Sequence, residues 1–186
     1  MRLRLRWALN LALARFRPRI GLLDHSSIRL RVLPNDVDLS FVTNDRYLSY
    51  MDIGRHDLIT RLGLLGKLRK GATIPLVRTQ TIRYRHAARL LQVIELRSRV
   101  LCWEEATVWF EQEFFVAQRS IALAYCEVEL RTKAGASTVS QLLSLAGHPD
   151  ARSPGVPGIV ESLVGTEQAM RQFQRDHSNN ESGFRH

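Results

Sequence analysis

Two aspartates followed by a run of helix-capping residues are the groups in this chain best suited to chemistry. Asp36 and Asp38 form a D-x-D pair, and Thr43, Asn44 and Asp45 follow as good capping residues. A carboxylate can activate water as a general base or attack a carbonyl itself. The unpaired N–H groups at a helix N-terminus can hold a developing oxyanion. The sequence alone leaves two interpretations open: turn formation by the aspartates with capping by Asn44, or an acid just upstream of an oxyanion site.

Other kinds of site are not indicated by the sequence. The six histidines show no metal-ligand spacing, no serine stands in a G-x-S-x-G elbow, and no phosphate-loop or dinucleotide fingerprint occurs. Cys102 and Cys126 lie inside apolar runs, so we expect reduced, buried thiols. We therefore expect neither a metal nor a resident cofactor.

An amphipathic helix is predicted directly after the capping residues. Apolar residues recur at three- and four-residue steps from Asp45 to Leu65, with one gap at Arg55. The basic segment 67–72, with Gly71 as a stop, is predicted to close this helix. The preceding segment, 26–34, alternates between apolar and basic residues and predicts a half-buried strand.

The order of the elements predicts the fold class. Residues 73–133 read as four long strands with short links, which indicates antiparallel pairing. One strand, one long helix and four strands predict an α+β hotdog fold, in which an antiparallel sheet of about five strands wraps around one central helix. We expect this domain to span residues 26–135, with a C-terminal helical extension at 136–175 and a disordered tail at 176–186.

Residues 1–25 form a basic arm that is predicted to be helical up to Pro18. Residues 1–31 contain eight arginines and one acid, and the apolar stretch Trp7–Ala14 is too short to span a bilayer. The arm is either an ordinary packing helix or an interfacial helix that contacts a membrane through residues 1–20, with a cleaved targeting peptide as a third interpretation. Because the charge lies in an arm, nucleic acid is not expected as a partner. We expect a cytoplasmic protein with possible peripheral membrane association.

The segment LPNDVDLSFVTNDRYLSYMDIGR, residues 33–55, carries a family resemblance. It resembles the opening motif of hotdog thioesterases related to 4-hydroxybenzoyl-CoA thioesterase, and among them the thioesterase-superfamily-member-six branch. That branch typically has L-P-x-D-x-D-x-x-x-H-x-N-N-x-R-Y-L followed by M-D-x-x-R. The resemblance extends over about residues 26–157. Here Val42, or its neighbour Phe41, stands where the family has histidine.

The resemblance implies thioester hydrolysis, with CoA present only as part of the substrate. It implies that Asp38 is the general base or nucleophile, and we expect Asn44 and Tyr47 to share the catalytic site. Further residues expected at the substrate are Asp36, Thr43, Asp52, Arg83 and Arg85, the two arginines because guanidinium groups favour CoA phosphates. The expected substrates are acyl-CoA or acyl-carrier-protein thioesters. A non-catalytic acyl or CoA binder is the alternative, because the motif histidine is missing.

A single hotdog sheet leaves strand edges unpaired and its inner surface half covered. Pairing with a second copy removes an edge and can complete an acyl tunnel. We therefore expect a homodimer or a dimer of dimers, with the sites at the subunit boundary.

Overall fold

The structure, a computed structural model, describes the backbone of residues 2–133, 135–136 and 138–183 and the side chains of 6–133, 135 and 138–177. Residues up to Ser153 form one compact unit and those from Pro154 onward a second. The helices of the described residues are α1 (Arg2–Ala14), α2 (Asn44–Arg61), α3 (Leu65–Lys70), α4 (Val139–Leu145) and α5 (Gly158–Gly183). The strands are β1 (Ser26–Arg31), β2 (Val37–Asp38), β3 (Phe41–Val42), β4 (Ile74–Tyr84), β5 (Val93–Glu104), β6 (Thr107–Val116), β7 (Arg119–Thr132) and β8 (Gly135–Ala136).

Five strands form the main antiparallel sheet in the order β1-β5-β6-β7-β4, and β8 pairs with the end of β7. Consecutive strands β5, β6 and β7 are joined by tight turns, and β4 returns to lie along β7. Alternation buries one face of each central strand, as in Ile94, Leu96 and Val100 of β5. The predicted α+β hotdog fold is confirmed.

Helix α2 lies against the buried face of this sheet. Its inward side chains include Tyr47, Tyr50, Met51 and Leu58, all of which are almost fully buried. Gly54 lies so close to the sheet that a Cβ atom there would be only 2.6 Å from the hydroxyl oxygen of Ser98. The close approach at this glycine fixes the depth at which α2 sits in the sheet.

The C-terminus of α2 lies earlier than the sequence predicts. The helix ends at Arg61, and Gly63 adopts a left-handed conformation with φ of +74°. The N–H of Leu64 donates to the carbonyl of Ile59 and that of Gly63 to Thr60, each at 3.0 Å, which is the Schellman pattern. The predicted continuation to Leu65 is therefore wrong, because the left-handed glycine turns the chain into a separate short helix, α3.

The N-terminal arm, which contains α1, forms ion pairs with two buried acids. The Arg6 guanidinium donates to Asp36 at 2.7 Å, and Arg17, just beyond the helix, donates to Asp57 at 2.5 Å. Both carboxylates are inaccessible to solvent. The arm therefore contributes counter-charges to the first compact unit, as expected for a packing helix.

The C-terminal part of the chain is helical, as predicted. Thr138 caps α4, accepting a hydrogen bond from the N–H of Gln141 at 3.2 Å. Helix α5 continues to Gly183, so residues 176–183 are helical where the sequence predicts a disordered tail, and residues 184–186 lie outside the described part. Within the described residues, no helix combines the length and apolar character needed to cross a membrane.

Candidate functional site

Asp38 lies on a small hairpin that precedes α2. Strands β2 and β3 pair with Asp38 opposite Phe41, and the two-residue turn Leu39–Ser40 joins them. The hairpin brings Asp38 back beside the residues that lead into α2, and its side chain is exposed in the single chain. An exposed carboxylate has the water access that a general base needs.

The predicted start of α2 is confirmed. Thr43 is the N-cap and Asn44 the first helical residue. The Thr43 hydroxyl donates to the carboxylate of Asp45 and does not cap a backbone amide. The first N–H groups of α2 are therefore left without a side-chain cap, and an anion can bind at such an end.

Asp36 serves the structure of this loop rather than facing a substrate. It is fully buried, and its Oδ2 atom accepts from Arg6 and from the backbone N–H of Leu33, at 2.7 and 2.8 Å. Arg46 of α2 lies 4.0 Å from its other oxygen. This placement differs from the predicted substrate contact, because every approach to the carboxylate is occupied by protein.

Tyr47 is a core residue whose hydroxyl holds a neighbouring loop. Its ring makes edge-on contacts with Tyr84 and Phe114, each with centroids 5.1 Å apart. The hydroxyl accepts from the backbone N–H of Ala88 at 3.4 Å, and burial raises the pKa of Tyr47. The contacts seen here position the loop that follows β4, and the predicted catalytic role stays a prediction.

A buried polar network lies under Asp52 and was not anticipated. Arg55 is nearly inaccessible and pairs with Asp52, whose side chain is 58% exposed. The second amino group of Arg55 donates to Gln112 Oε1 at 2.7 Å, and the Gln112 amide donates to Ser98 at 2.9 Å. The one sequence signal was the gap that Arg55 leaves in the apolar period of α2. The network fixes the outward-facing carboxylate of Asp52.

Arg83 and Arg85 lie where β4 ends, and both are exposed. Arg83 is paired with Leu123 in the sheet, and the N–H of Arg85 donates to the carbonyl of Ile121 at 2.8 Å. Their backbones are thus fixed while their guanidinium groups extend outward. Their predicted contact with CoA phosphates stays a prediction.

An apolar cavity lies at the opposite end of α2 from Asp38. Its volume is about 40 Å³ and its lining is entirely apolar, which suits neither a carboxylate nor a thioester carbonyl. None of the predicted site residues lines it. Its lining residues include Leu62, Leu68, Trp103, Phe110, Val128 and Leu143. The predicted site residues therefore lie outside this cavity.

Comparison with known sequences identifies the family. A profile of the thioesterase-like superfamily matches residues 32–136. Protein THEM6 of Xenopus laevis is 37% identical over 112 residues, which is 59% of this chain and 54% of that protein. The chain thus spans about half the length of the curated relatives that it matches.

Solved structures confirm the fold. A 1,4-dihydroxy-2-naphthoyl-CoA thioesterase from Synechocystis superposes with a TM-score of 0.59 at 12% identity, over 68% of this chain and 97% of that one. A hypothetical thioesterase from Streptococcus pneumoniae, solved with coenzyme A, gives a TM-score of 0.52 at 12% identity, over 71% and 97%. With the family profile covering more than half of its residues, this chain belongs to the thioesterase-like superfamily.

Proposed function

We propose that this protein hydrolyses acyl-CoA thioesters, with Asp38 as the catalytic carboxylate. Asp38 takes a proton from water, the water oxygen attacks the thioester carbonyl, and the carbon–sulfur bond breaks. The sulfur leaves with a proton as the free CoA thiol, and the acyl group leaves as a carboxylic acid. The uncapped first N–H groups of α2, at Asn44 and its neighbours, stabilise the oxyanion.

One observation supports this proposal: in a thioesterase-like domain, an exposed carboxylate lies on the hairpin that leads into a helix N-terminus without a side-chain cap. Asp38 is paired with Phe41, three residues before the first residue of α2. The structural relatives include an aryl-CoA thioesterase and a protein solved with coenzyme A, which supports CoA as the carrier. Arg83 and Arg85 supply outward-facing guanidinium groups for its phosphates. An acyl-carrier-protein thioester is the other carrier of the same chemistry.

The proposed active form is a homodimer. Asp38 lies on the surface of the single chain, so a second copy must supply the remaining walls of an acyl site. Among the described residues, strand β4 pairs with β7 alone and its other edge is free, and Ile74, Leu76 and Val77 of this strand are exposed. An apolar strand with a free edge is a natural pairing surface.

The test is hydrolysis of a panel of acyl-CoAs, followed by reaction of the released thiol with a chromogenic reagent. We expect turnover by the wild-type protein and a fall of at least about 100-fold in kcat for Asp38→Asn, because general-base catalysis contributes that much. Asp150→Asn, which changes an equally exposed aspartate in the same compact unit, is the matched control and should keep full activity. Unchanged turnover in Asp38→Asn would remove Asp38 from the mechanism.

A non-catalytic acyl or CoA binder is the second candidate. The position of the family's histidine is occupied here by Val42, which is buried, or by Phe41, and neither side chain can transfer a proton. Calorimetric titration with acyl-CoA separates the two functions. Binding without release of thiol over the whole panel would favour the binder.

Membrane contact through residues 1–20 is a further part of the proposal. Helix α1 exposes Leu9 and Leu13, which are one helical turn apart, and Phe16 beyond it is 88% exposed. Such a stripe beside arginines suits a lipid interface. Because Arg6 and Arg17 neutralise buried acids, the test variant is Leu13→Ser with Phe16→Ser rather than deletion of the arm. Loss of sedimentation with lipid vesicles is the expected result.

A further inference from the structure

Two exposed leucines have left-handed backbone conformations that disfavour their side chains. Leu39 has φ of 46° and is 89% exposed, and Leu91 has φ of 65° and is 59% exposed. Glycine or asparagine takes such conformations with less strain than leucine. Leucine at these positions is unfavourable because its backbone is strained and its apolar side chain is exposed to water. These two costs indicate that the side chains contact another molecule.

The two leucines belong to one surface. The N–H of Leu90 donates to the carbonyl of Ser40 at 3.1 Å, which ties the loop after β4 to the β2–β3 turn. Phe41 and Arg89 form a bridge between the same two segments. We call this the hairpin–loop surface. Its exposed apolar side chains are those of Leu39, Phe41, Leu90, Leu91 and Val93.

Arginines border the hairpin–loop surface. The Arg89 guanidinium lies over the Phe41 ring, 5.5 Å from its centroid, and Arg31 donates to the carbonyl of Leu91 at 3.4 Å. In the part of the chain that the structure describes, neither arginine has a carboxylate within ion-pair distance. Asp38, opposite Phe41 in the hairpin, is the exposed acid that adjoins this surface. With a formal net charge of +9 for the whole chain, the surface complements an anionic partner.

We propose that the hairpin–loop surface docks on an anionic lipid bilayer, with Leu39 and Leu91 inserted among the acyl chains and Arg31 and Arg89 at the headgroup phosphates. The two exposed leucines lie on loops that are hydrogen-bonded to each other, so their side chains can insert together into the outer part of a bilayer. Guanidinium groups bind phosphate well. The edge of β4 already offers a pairing surface for a second copy. Docking at this surface does not depend on thioester hydrolysis.

The test is sedimentation of the full chain with vesicles made of equal parts phosphatidylcholine and phosphatidylglycerol. The test variant is Leu39→Asn with Leu91→Asn, because asparagine tolerates the left-handed conformation. We expect at least a tenfold loss of vesicle affinity, since each buried leucine is worth about tenfold or more. The unfolding temperature should be equal to or above that of the wild type, which shows that the loss is not a folding defect.

The β6–β7 turn supplies a matched control. Ala117 and Gln118 also have left-handed conformations, with φ of 47° and 65°, but carry no large apolar side chain. Ala117→Asn with Gln118→Asn should leave vesicle affinity unchanged. Equal losses in the two double variants would attribute the effect to the backbone and overturn the proposal.

Other outcomes would also overturn it. Unchanged vesicle binding in the Leu39 and Leu91 variant, with complete loss in the Leu13 and Phe16 variant, would assign membrane contact to α1 alone. A change from dimer to monomer in the Leu39 and Leu91 variant, measured without vesicles, would make this surface an interface between copies. Equal binding to pure phosphatidylcholine would exclude the proposed role of the arginines. Hydrolysis of soluble acyl-CoA by the variant reports separately on the enzyme.

Discussion

At the scale of single residues, two buried carboxylates bind the N-terminal arm to the rest of the domain. Asp36 and Asp57 are both inaccessible to solvent, and each takes its shortest arginine contact from the N-terminal arm. A buried charge without a partner costs several kcal/mol, so these contacts bind the arm to the fold more firmly than surface ion pairs would. The arm is thus needed for the environment of the loop that carries Asp38.

Replacing Arg6 tests this dependence. Arg6→Met keeps much of the side-chain length but leaves Asp36 with Arg46 as its remaining cation, so we expect a loss of about 3 kcal/mol in the free energy of unfolding. Arg15→Met, on the exposed side of the same arm, should change it by less than about 0.5 kcal/mol. Chemical denaturation of both variants measures the difference. Equal values would mean that the buried pair contributes no more than a surface charge.

The residues of the candidate site could be predicted where the pattern that marks them lies within a few neighbouring residues of the sequence. The capping pattern predicted the start of α2 at Thr43 and Asn44, and the D-x-D pair identified the loop. Which aspartate is buried was not predictable, because that depends on Arg6, thirty positions away from Asp36. The network below Asp52 was missed for the same reason: Gln112 and Arg55 satisfy each other across 57 positions of sequence.

Tyr50 should make the protein sensitive to alkali. Burial, and then the negative charge of Asp36, raise the pKa of Tyr50 far above its ordinary value. The unfolded chain therefore loses this proton from about pH 10 while the folded chain keeps it, so the free energy of unfolding falls as pH rises above that point. We expect a shallower fall in Tyr50→Phe, measured by denaturant titration from about pH 9 to about 11. Tyr84→Phe, at a more exposed tyrosine, should reduce the slope less, and equal slopes would refute the assignment.

At the scale of elements, hydrophobic periodicity explains why the strands were predicted correctly. Periodicity together with turn chemistry explains why the end of α2 was predicted too late. The strands were predicted because alternation is strict over most of β5 and β7, where the inward residues are buried. Helix α2 was predicted too long because apolar residues continue at helical spacing through Leu62 and Leu65. Gly63 was the available stop signal, since glycine is common just past a helix end. A packing constraint from Arg19, whose guanidinium would lie 2.6 Å from a Cβ at Gly63, could not be foreseen.

The contact between α2 and the sheet can be tested at Gly54. Alanine is normally favoured over glycine in a helix by about 1 kcal/mol. At Gly54, however, a Cβ would meet Ser98 at 2.6 Å and Leu96 at 2.8 Å, so we expect Gly54→Ala to destabilise the protein by about 1–3 kcal/mol. In α3, a Cβ at Gly66 would meet no atom within 4 Å beyond its own helix, so Gly66→Ala should be neutral or stabilising. Thermal unfolding of the pair gives the comparison, and stabilisation by both would mean that α2 can move away from the sheet.

At the scale of the whole molecule, a single chain leaves the edge strands of its main sheet exposed. Strands β1 and β4 end the main sheet, and β4 is exposed along most of its length. The apolar cavity beside α3 and α4 is small and lies at the other end of α2 from Asp38, so this cavity is not an acyl site beside the proposed catalytic carboxylate. Dimer formation and hydrolysis should therefore fail together when the β4 edge is changed.

Leu76→Lys tests this coupling. Leu76 lies on β4 and is 40% exposed in the single chain, so lysine is readily solvated in a monomer but would be buried in a β4-to-β4 pair. Charges on edge strands oppose pairing. We expect sedimentation velocity to show monomers at concentrations where the proposed wild-type homodimer forms, with little change in unfolding temperature and a proportional loss of acyl-CoA turnover. Leu145→Lys on α4, also an exposed leucine, should leave assembly and turnover unchanged. A monomeric Leu76→Lys protein with full turnover would place the complete active site within one chain.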